Sequence, residues 1–205
     1  MSRRLVQGVG VNDADYTVTI REIVGYVNGK RIQRLVWMCP YYAVWADMLM
    51  RAYSKKFKTK HSTYEDCSAC EEWSLFSNFK SWMEEQDWEG KVLDKDILVR
   101  GNKIYSPETC AFVSQEVNKF ISESDASRGD WPIGVCWDKA MQKFMAQISN
   151  PFTKKNEKLG HYLCSNEAHI MWLKRKLEFA KRLAERQDDN RISKALIERY
   201  ENYDL

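Results

Sequence analysis

Three short strand-like runs followed by one long helix constrain the fold of this chain more than any other sequence feature. The runs are apolar segments of strand length at residues 133–137, 143–149 and 159–163. Ser165 is a predicted N-cap for the helix, which is expected over residues 166–185. A sheet of this kind can bury one face against a helix and leave the other face exposed. We therefore expect an α+β fold that contains a three-stranded antiparallel sheet packed on a long helix.

A polar stretch precedes this region and is the predicted boundary between domains. Residues 122–130 contain no large apolar side chain. Nearer the N-terminus, Asn28-Gly29 lies between β-type residues, and both turn positions tolerate positive φ, so the sequence predicts a hairpin there. The predicted organisation is an N-terminal β-hairpin region (1–34), a middle module (35–122), a linker (123–130), the sheet-and-helix domain (131–186) and a last helix (187–205).

The middle module is predicted to contain two helices joined by a basic loop. Pro40 suits the first helical position, and the apolar face of that helix consists of Trp45, Met48 and Leu49. The basic run 51–60 is predicted to be a loop. A second helix is expected over 71–85, and its apolar face is interpreted as core: Trp73, Phe76, Phe79, Trp82 and Met83.

Composition and the N-terminal sequence exclude several classes of protein. The 205 residues are 44% hydrophobic and 13% aromatic, which is typical of a folded chain and not of a disordered one. No apolar run approaches the roughly 20 residues that span a bilayer. Acidic residues soon follow the N-terminus, which argues against a signal peptide. We expect a soluble protein that is made and used inside a cell and has no membrane partner.

The distribution of charge says more than the formal net charge of +3. The run 51–60 carries five cations and no acid, the stretch 139–158 carries five lysines against Glu157 alone, and the segment 65–89 is strongly acidic. Two separated basic patches suit a protein that contacts phosphates in two places. The alternative is that both patches are solvated loops.

Four short motifs follow one another in the C-terminal region. They are Gly134-Val135-Cys136-Trp137, the run 143–148, Leu159-Gly160-His161-Tyr162 and Asn166-Glu167-Ala168-His169. In the order and spacing of these motifs, over about residues 131–184, the chain resembles the plant ethylene-response-factor (APETALA-type) DNA-binding domain. The resemblance implies that the sheet enters the major groove of double-stranded DNA and that strand side chains contact bases and phosphates.

The predicted DNA contacts differ from those of the plant family. Family members carry Arg beside the Gly-Val pair, whereas this chain has Ile133 and Cys136 there. The lysines and glutamines of the sheet region are therefore the expected contacts, together with the basic run. Trp137 is either a groove contact or a core residue. The predicted contact set is Lys55, Lys56, Lys58, Lys60, Trp137, Lys139, Gln142, Lys143, Gln147, Lys154, Lys155 and Lys158.

The segment 93–113 resembles the ββα-metal core of HNH endonucleases. Asp94-Lys95-Asp96 stands at the end of a predicted strand over 93–98, Asn102 follows in a loop, and Ser106-Pro107-Glu108-Thr109 is a predicted helix start. The resemblance implies a divalent metal held by carboxylate and amide groups, and a histidine that activates water. The family pairs this module with an APETALA-type domain in phage homing endonucleases, so the resemblance also implies a phage origin.

Two departures from the HNH pattern indicate a degenerate site, made up of Asp94, Lys95, Asp96, Asn102 and Thr109. Lys95 occupies the position of the general-base histidine, and an ordinary lysine, with a pKa of about 10.4, is protonated at neutral pH. Thr109 occupies the position of a metal ligand. We therefore expect a module without nuclease turnover, in which Mg²⁺ has a role only if nuclease activity is retained.

The cysteines suggest a structural zinc site in the middle module. Cys67 and Cys70 have the spacing of a ligand pair, and Cys39 and Cys110 would complete a four-thiolate site. The alternative is that these residues are buried free thiols.

The sequence thus predicts a phage DNA-binding protein derived from an HNH homing endonuclease, acting in the cytoplasm of the infected bacterial host cell. One alternative is an active, metal-dependent enzyme that nicks or cleaves DNA. The other is a factor that binds a host or phage protein through the acidic segment 65–89 and a helix over 191–203.

Overall fold

The structure is a computed structural model that describes residues 5–122 and 130–201. The chain forms two compact units. The first unit comprises Met1–Asp96 and Gly101–Phe112, and the second comprises Ile97–Arg100 and Val113–Leu205. Helices and several small sheets occur together, so the predicted α+β class is confirmed. The predicted linker over 123–130 lies outside the described residues except for Asp130.

The first unit opens with a long antiparallel hairpin of β1 (Thr19–Val27) and β2 (Lys30–Met38). Its two-residue turn is the predicted Asn28-Gly29, with φ of 50° and 75°. Both values are positive, as the favoured hairpin turn requires. Strand β1 begins at Thr19 and continues to the turn.

Helix α1 (Pro40–Tyr53) begins at the predicted proline and buries Trp45, Met48 and Leu49, as expected. The prediction of a loop over 51–60 is wrong. The run contains the end of α1 and the short helix α2 (Lys55–Lys60). The hydroxyl of Ser54 accepts a hydrogen bond from Phe57 N at 3.3 Å, so α2 has its own N-cap.

The helix predicted over 71–85 is divided in two. A 3₁₀ turn over Glu71–Ser74 precedes α3 (Phe76–Glu84), and Leu75 between them is extended. The interruption has a tertiary cause, because Val11 N donates to Ser74 O and Phe76 N donates to Val11 O. The predicted apolar face is nonetheless core: Trp73, Phe76, Phe79 and Met83 are buried and Trp82 is partly buried.

Two further sheets have two strands each. One pairs β3 (Ser68–Ala69) with β5 (Ile104–Tyr105) in parallel, and the other pairs β4 (Val92–Asp94) with β6 (Ala111–Val113). Strand β4 ends at Asp94, so the strand predicted over 93–98 is shorter than expected.

The helix predicted to start at Ser106 does not form there. Ser106 O accepts hydrogen bonds from Thr109 N and Cys110 N and closes one turn, after which the chain continues as β6. The residues of β6 are all buried and apolar, which favours a short internal strand. The next helix, α4 (Gln115–Ile121), is capped by Ser114.

The second unit contains the predicted three-stranded antiparallel sheet on a long helix. Its strands are β7 (Val135–Asp138), β8 (Lys143–Ser149) and β9 (Asn156–Tyr162), in the order β7-β8-β9. Helix α5 (Ser165–Ala184) packs on one sheet face. Cys164, not Ser165, occupies the N-cap position, and it makes no side-chain cap.

Helices α4, α5 and α6 (Asn190–Glu201) meet at one backbone carbonyl. Phe120 O accepts a hydrogen bond from Lys176 Nζ at 2.6 Å and another from Tyr200 Oη at 3.4 Å. The Lys176 ammonium also lies 3.8 Å from the centroid of the Phe120 ring. These contacts join α4 to the same core as the sheet and α5.

Candidate nucleic-acid interface

The side chains of β8 alternate between the two faces of the sheet. Ala146 and Ile148 are buried, so they lie on the face that α5 covers. Lys143, Met145 and Gln147 have the opposite parity and therefore lie on the other face. We call this second surface the open face.

Neighbouring strands contribute the remaining residues of the open face. Across β7, Cys136 is opposite Met145 and Asp138 is opposite Lys143; across β9, His161 is opposite Met145 and Lys158 is opposite Gln147. Cys136 and Gln147 are in contact, since Gln147 Nε2 lies 3.6 Å from Cys136 Sγ. The open face thus carries two lysines, one amide and one acid–imidazole pair.

Asp138 organises one end of the open face. Its Oδ2 lies 2.9 Å from His161 Nε2, and its Oδ1 accepts hydrogen bonds from Ala140 N and Met141 N at 3.0 and 3.2 Å. The hydrogen bond from His161, with help from the backbone N–H of Met141, lowers the pKa of the Asp138 carboxyl. The carboxylate therefore fixes the turn that presents Lys139.

Gln142 ends the same turn with φ of 48°. Its Nε2 donates to Lys139 O at 2.8 Å, so the side chain closes the turn on itself. The predicted contact Gln142 is therefore a turn residue whose amide is already hydrogen-bonded, whereas the Lys139 side chain is exposed.

Asn150 organises the opposite end of the sheet. This buried side chain accepts hydrogen bonds from Phe152 N and Thr153 N at 2.8 and 3.1 Å, and its N–H donates to Glu157 Oε1 at 2.5 Å. Such bonding by an asparagine oxygen favours a tight turn. The turn presents Lys154, whose ammonium lies 3.1 Å from Glu116 Oε1.

Lysines therefore lie at both ends of the open face. Lys139 and Lys143 lie at the β7–β8 end, and Lys155 and Lys158 lie towards the β8–β9 end. Between residues 131 and 186 the chain has 11 Lys and Arg residues against 5 Asp and Glu residues. This part of the second unit is strongly basic even though the whole chain is not.

Trp137 lies on the other face of the sheet. It is opposite Phe144, which has the same parity as the buried Ala146. The Phe144 ring makes edge-to-face contacts with two tryptophan rings. The centroid distance is 4.9 Å to Trp137 and 4.7 Å to Trp131. Trp137 therefore packs against Phe144 at the edge of the sheet, but its side chain is 37% exposed and is not part of the buried core.

The basic run of the first unit contains three exposed lysines and one, Lys58, that is hydrogen-bonded to the backbone. Lys55, Lys56 and Lys60 are exposed on α2. The Lys58 ammonium instead donates to the carbonyl oxygens of Glu65 and Cys67 at 2.8 and 2.9 Å. Lys58 therefore holds the following loop in place.

The structure brings most of the degenerate nuclease positions together in one hydrogen-bond network. Lys95 is buried, and its ammonium donates to Asp96 Oδ2 at 3.2 Å and to Asn102 O at 2.8 Å. Asn102 Nδ2 donates in return to Lys95 O and to Ile104 O, at 2.6 and 2.7 Å. Asp94 Oδ1 accepts from Asp96 N at 2.9 Å.

Thr109 does not lie in a helix, because the helix predicted to start at Ser106 does not form. It lies in the turn before β6, where its hydroxyl donates to Ile104 O at 2.8 Å and is 3.1 Å from Ser106 Oγ. These contacts tie the loop to β5. Lys95, Asn102 and Thr109 thus stabilise the backbone of this loop.

The four predicted zinc ligands differ in exposure. Cys39, Cys67 and Cys110 are buried, and Cys70 is partly buried. Burial raises the pKa of the Cys70 thiol and raises that of Cys110 to about 12. In the part of the chain that the structure describes, no three His, Cys, Asp or Glu side chains form a group able to hold a metal ion. The zinc site remains a prediction.

Comparisons with protein-family models, with curated proteins and with solved structures found no match to this chain. Within residues 5–122 and 130–201, no helix has the length and apolar character needed to cross a membrane.

The sequence interpretation missed the residues that organise the two turns. Asp138, Asn150 and His161 received no role at the open face, although Asp and Asn ahead of small or polar residues are a turn signal. The pairing of Asp138 with His161 joins positions 23 residues apart, so only the folded sheet shows it.

Proposed function

We propose that this protein binds double-stranded DNA through the open face of β7–β9. The observation that carries the proposal is the presence of lysines at both ends of a sheet face that α5 leaves uncovered. Strand β8 has seven residues and spans about 20 Å. The major groove is about 12 Å wide and admits a β-ribbon, so the lysines at the two ends are placed to reach phosphates on both sides of the groove.

Phosphate contacts position a protein on DNA, whereas contacts with base edges give sequence preference. Lys139, Lys143 and Lys158 suit the first role. Gln147 suits the second, because an amide can form paired hydrogen bonds with adenine. Its present partner, Cys136 Sγ, is a weak acceptor, so exchanging this contact for a base contact costs little.

We further propose that the chain is a phage DNA-binding protein derived from an HNH homing endonuclease, and that it does not cleave DNA. The sequence resemblance supports the origin. The contacts of Lys95 support the loss of turnover, since its Nζ donates hydrogen bonds to Asp96 and to a backbone carbonyl and is not placed to activate water as the histidine of the family does.

The test is binding to a labelled duplex across a salt series from about 50 to 200 mM, followed by a denaturing gel with and without Mg²⁺. Lys143→Ala and Lys158→Ala should each weaken binding and reduce the salt slope by about one. Lys174→Ala removes an exposed lysine from α5 and should change neither value. Gln147→Ala should reduce sequence preference more than affinity for unrelated DNA.

Each part of the proposal has an outcome that contradicts it. Absence of binding at low salt, or equal effects of the Lys143, Lys158 and Lys174 substitutions, would contradict the open face as the interface. Cut strands that appear only with Mg²⁺ would contradict the loss of turnover, and they would support an active nuclease at this site only if Asp94→Ala abolished cutting.

A further inference from the structure

The β1–β2 hairpin exposes an unusual amount of apolar surface. Its large apolar side chains have 42 to 63% of their surface exposed: Ile20, Ile23, Val24, Tyr26, Val27, Ile32, Leu35, Val36 and Trp37. An isolated two-stranded ribbon is at best marginally stable in water. Contiguous apolar surface of this extent marks an interaction site.

Apolar residues lie on both faces of the hairpin. Ile20 is opposite Trp37 on one face, and the next pair, Arg21 and Leu35, lies on the other. The register shifts beside Ile20 and Ile23 are bulges that place Val36 and Val24 in the strands as additional residues. A ribbon that only lines the groove of a nucleic acid does not need apolar side chains on both faces.

The charges of the hairpin indicate the chemistry of its partner. The hairpin carries Arg21, Lys30, Arg31 and Arg34 against a single acid, Glu22, which is paired with Arg34. A partner surface that combines negative charge with apolar groups would therefore complement it.

This chain itself carries such a surface. The segment 65–89 has eight acids and one cation, Lys80. Among the described residues, Lys80 pairs with Glu84, whereas Glu71, Glu72 and Glu85 are exposed and have no ion pair. The side chain of Leu75, just after Glu71 and Glu72, is 37% exposed.

We propose that a second copy of this chain covers the hairpin, with the hairpin of each copy docked on the acidic segment 65–89 of the other. Because each copy supplies both surfaces, the two contacts are related by a two-fold axis and the assembly closes as a dimer. The nine half-exposed apolar side chains expose on the order of 800 Å² over the two faces of one hairpin, so one docked face buries roughly 400 Å². The two reciprocal contacts, counted with the segments that they cover, bury on the order of 1,600 Å², the size of a standard stable interface. This inference does not depend on the proposed DNA binding.

The experiment is sedimentation equilibrium of the full chain without DNA. The wild-type protein should have about twice the monomer mass of 24.2 kDa. Lys30→Glu with Arg31→Glu in one variant, and Glu71→Lys with Glu72→Lys in another, should each weaken self-association at least tenfold. An equimolar mixture of the two variants should regain the dimer, because a mixed pair restores opposite charges at both contacts.

Lys55→Glu with Lys56→Glu is the matched control, since it reverses two adjacent exposed lysines of the same unit. It should leave the dimer intact. A wild-type monomer at all concentrations, dimers that survive both charge reversals, or a mixture that stays monomeric would overturn the proposal. A monomeric wild type whose DNA binding is lost on Lys30→Glu with Arg31→Glu would overturn it in favour of a nucleic-acid contact.

Discussion

Trp172 fills the space that a side chain at position 134 would need. A Cβ built on Gly134 lies 2.0 Å from Cδ1 of the Trp172 indole, and the glycine has φ of +79°. Position 134 therefore requires glycine for two reasons, the left-handed backbone and the close approach of the ring. The contact holds the start of β7 against α5, and so fixes the edge strand of the open face.

Gly134→Ala should destabilise the protein by about 3 kcal/mol or more, because backbone strain adds to overpacking against a buried indole. Gly25→Ala is the control, since nothing lies within 4 Å of a Cβ there and its φ is not positive. Urea denaturation of the two variants measures the difference. Equal unfolding midpoints would contradict the account of Gly134.

The sequence correctly predicted the elements that are determined by residues within or next to them. Asn28-Gly29 specified the hairpin turn, Pro40 the start of α1, and apolar spacing the buried face of α3. The bounds of β8 also match the prediction. In each case the residues that determine the element lie within or beside it.

The failures have non-local causes. Ser106-Pro107 carries the signals of a helix start, yet strand β6 begins four residues after Pro107 and pairs with β4. The division of the 71–85 helix depends on hydrogen bonds to Val11. Propensity at one position cannot report a partner about sixty residues away.

The same limit applies to the candidate interface. The lysines of the sheet and of α2 were predicted as contacts from their charge alone. Charge does not distinguish lysines that are free to meet a ligand from lysines that are already bonded to other groups of the protein. Lys58 is partly buried and donates to two carbonyl oxygens, and Lys154, although exposed, is paired with Glu116, whereas no ion pair of Lys139 or Lys158 occurs among the described residues. Only the fold makes that distinction.

Lys95→Met should destabilise the protein by about 2 kcal/mol, since it removes hydrogen bonds from a buried ammonium and leaves Asn102 O without that donor. Lys103→Met is the control, because that lysine makes a single exposed hydrogen bond to Thr63 O. Thermal unfolding of both variants provides the measurement. A tolerated Lys95→Met would show that the network is not needed for folding.

The thiols should differ in their reactivity with iodoacetamide at about pH 8.5. Cys164 is exposed and should be modified first. Burial raises the pKa of Cys110 to about 12, so its thiolate is scarce and its modification should be at least about a hundredfold slower. Mass spectrometry of peptides gives the rates, and urea should equalise them. Protection of Cys39, Cys67, Cys70 and Cys110 that a chelator removes would instead support the predicted zinc site.

Glu157 links β9 to α5 and should make stability depend on pH. Its Oε2 accepts a hydrogen bond from Arg175 Nε at 2.9 Å, and hydrogen bonds from Arg175 and then Asn150 hold the pKa of this carboxyl below its usual value. A lowered pKa means that the folded state favours the ionised form. The stabilisation is therefore present above the unfolded-state pKa of about 4.3 and is lost as pH falls through the folded-state pKa.

Glu157→Gln should consequently lower the free energy of unfolding at pH 7 by up to about 1 kcal/mol, the range for a partly exposed pair. The difference from the wild type should shrink towards zero as the pH falls through the folded-state pKa of Glu157, because the wild-type carboxyl then becomes protonated as well. Glu185→Gln is the control, because it changes an exposed acid at the end of α5. It should leave the free energy of unfolding close to the wild-type value across the pH range. Urea denaturation from pH 3 to pH 7 tests this. A difference between the wild type and the Glu157→Gln variant that stays constant across that range would show that the pairing of Glu157 does not depend on its charge.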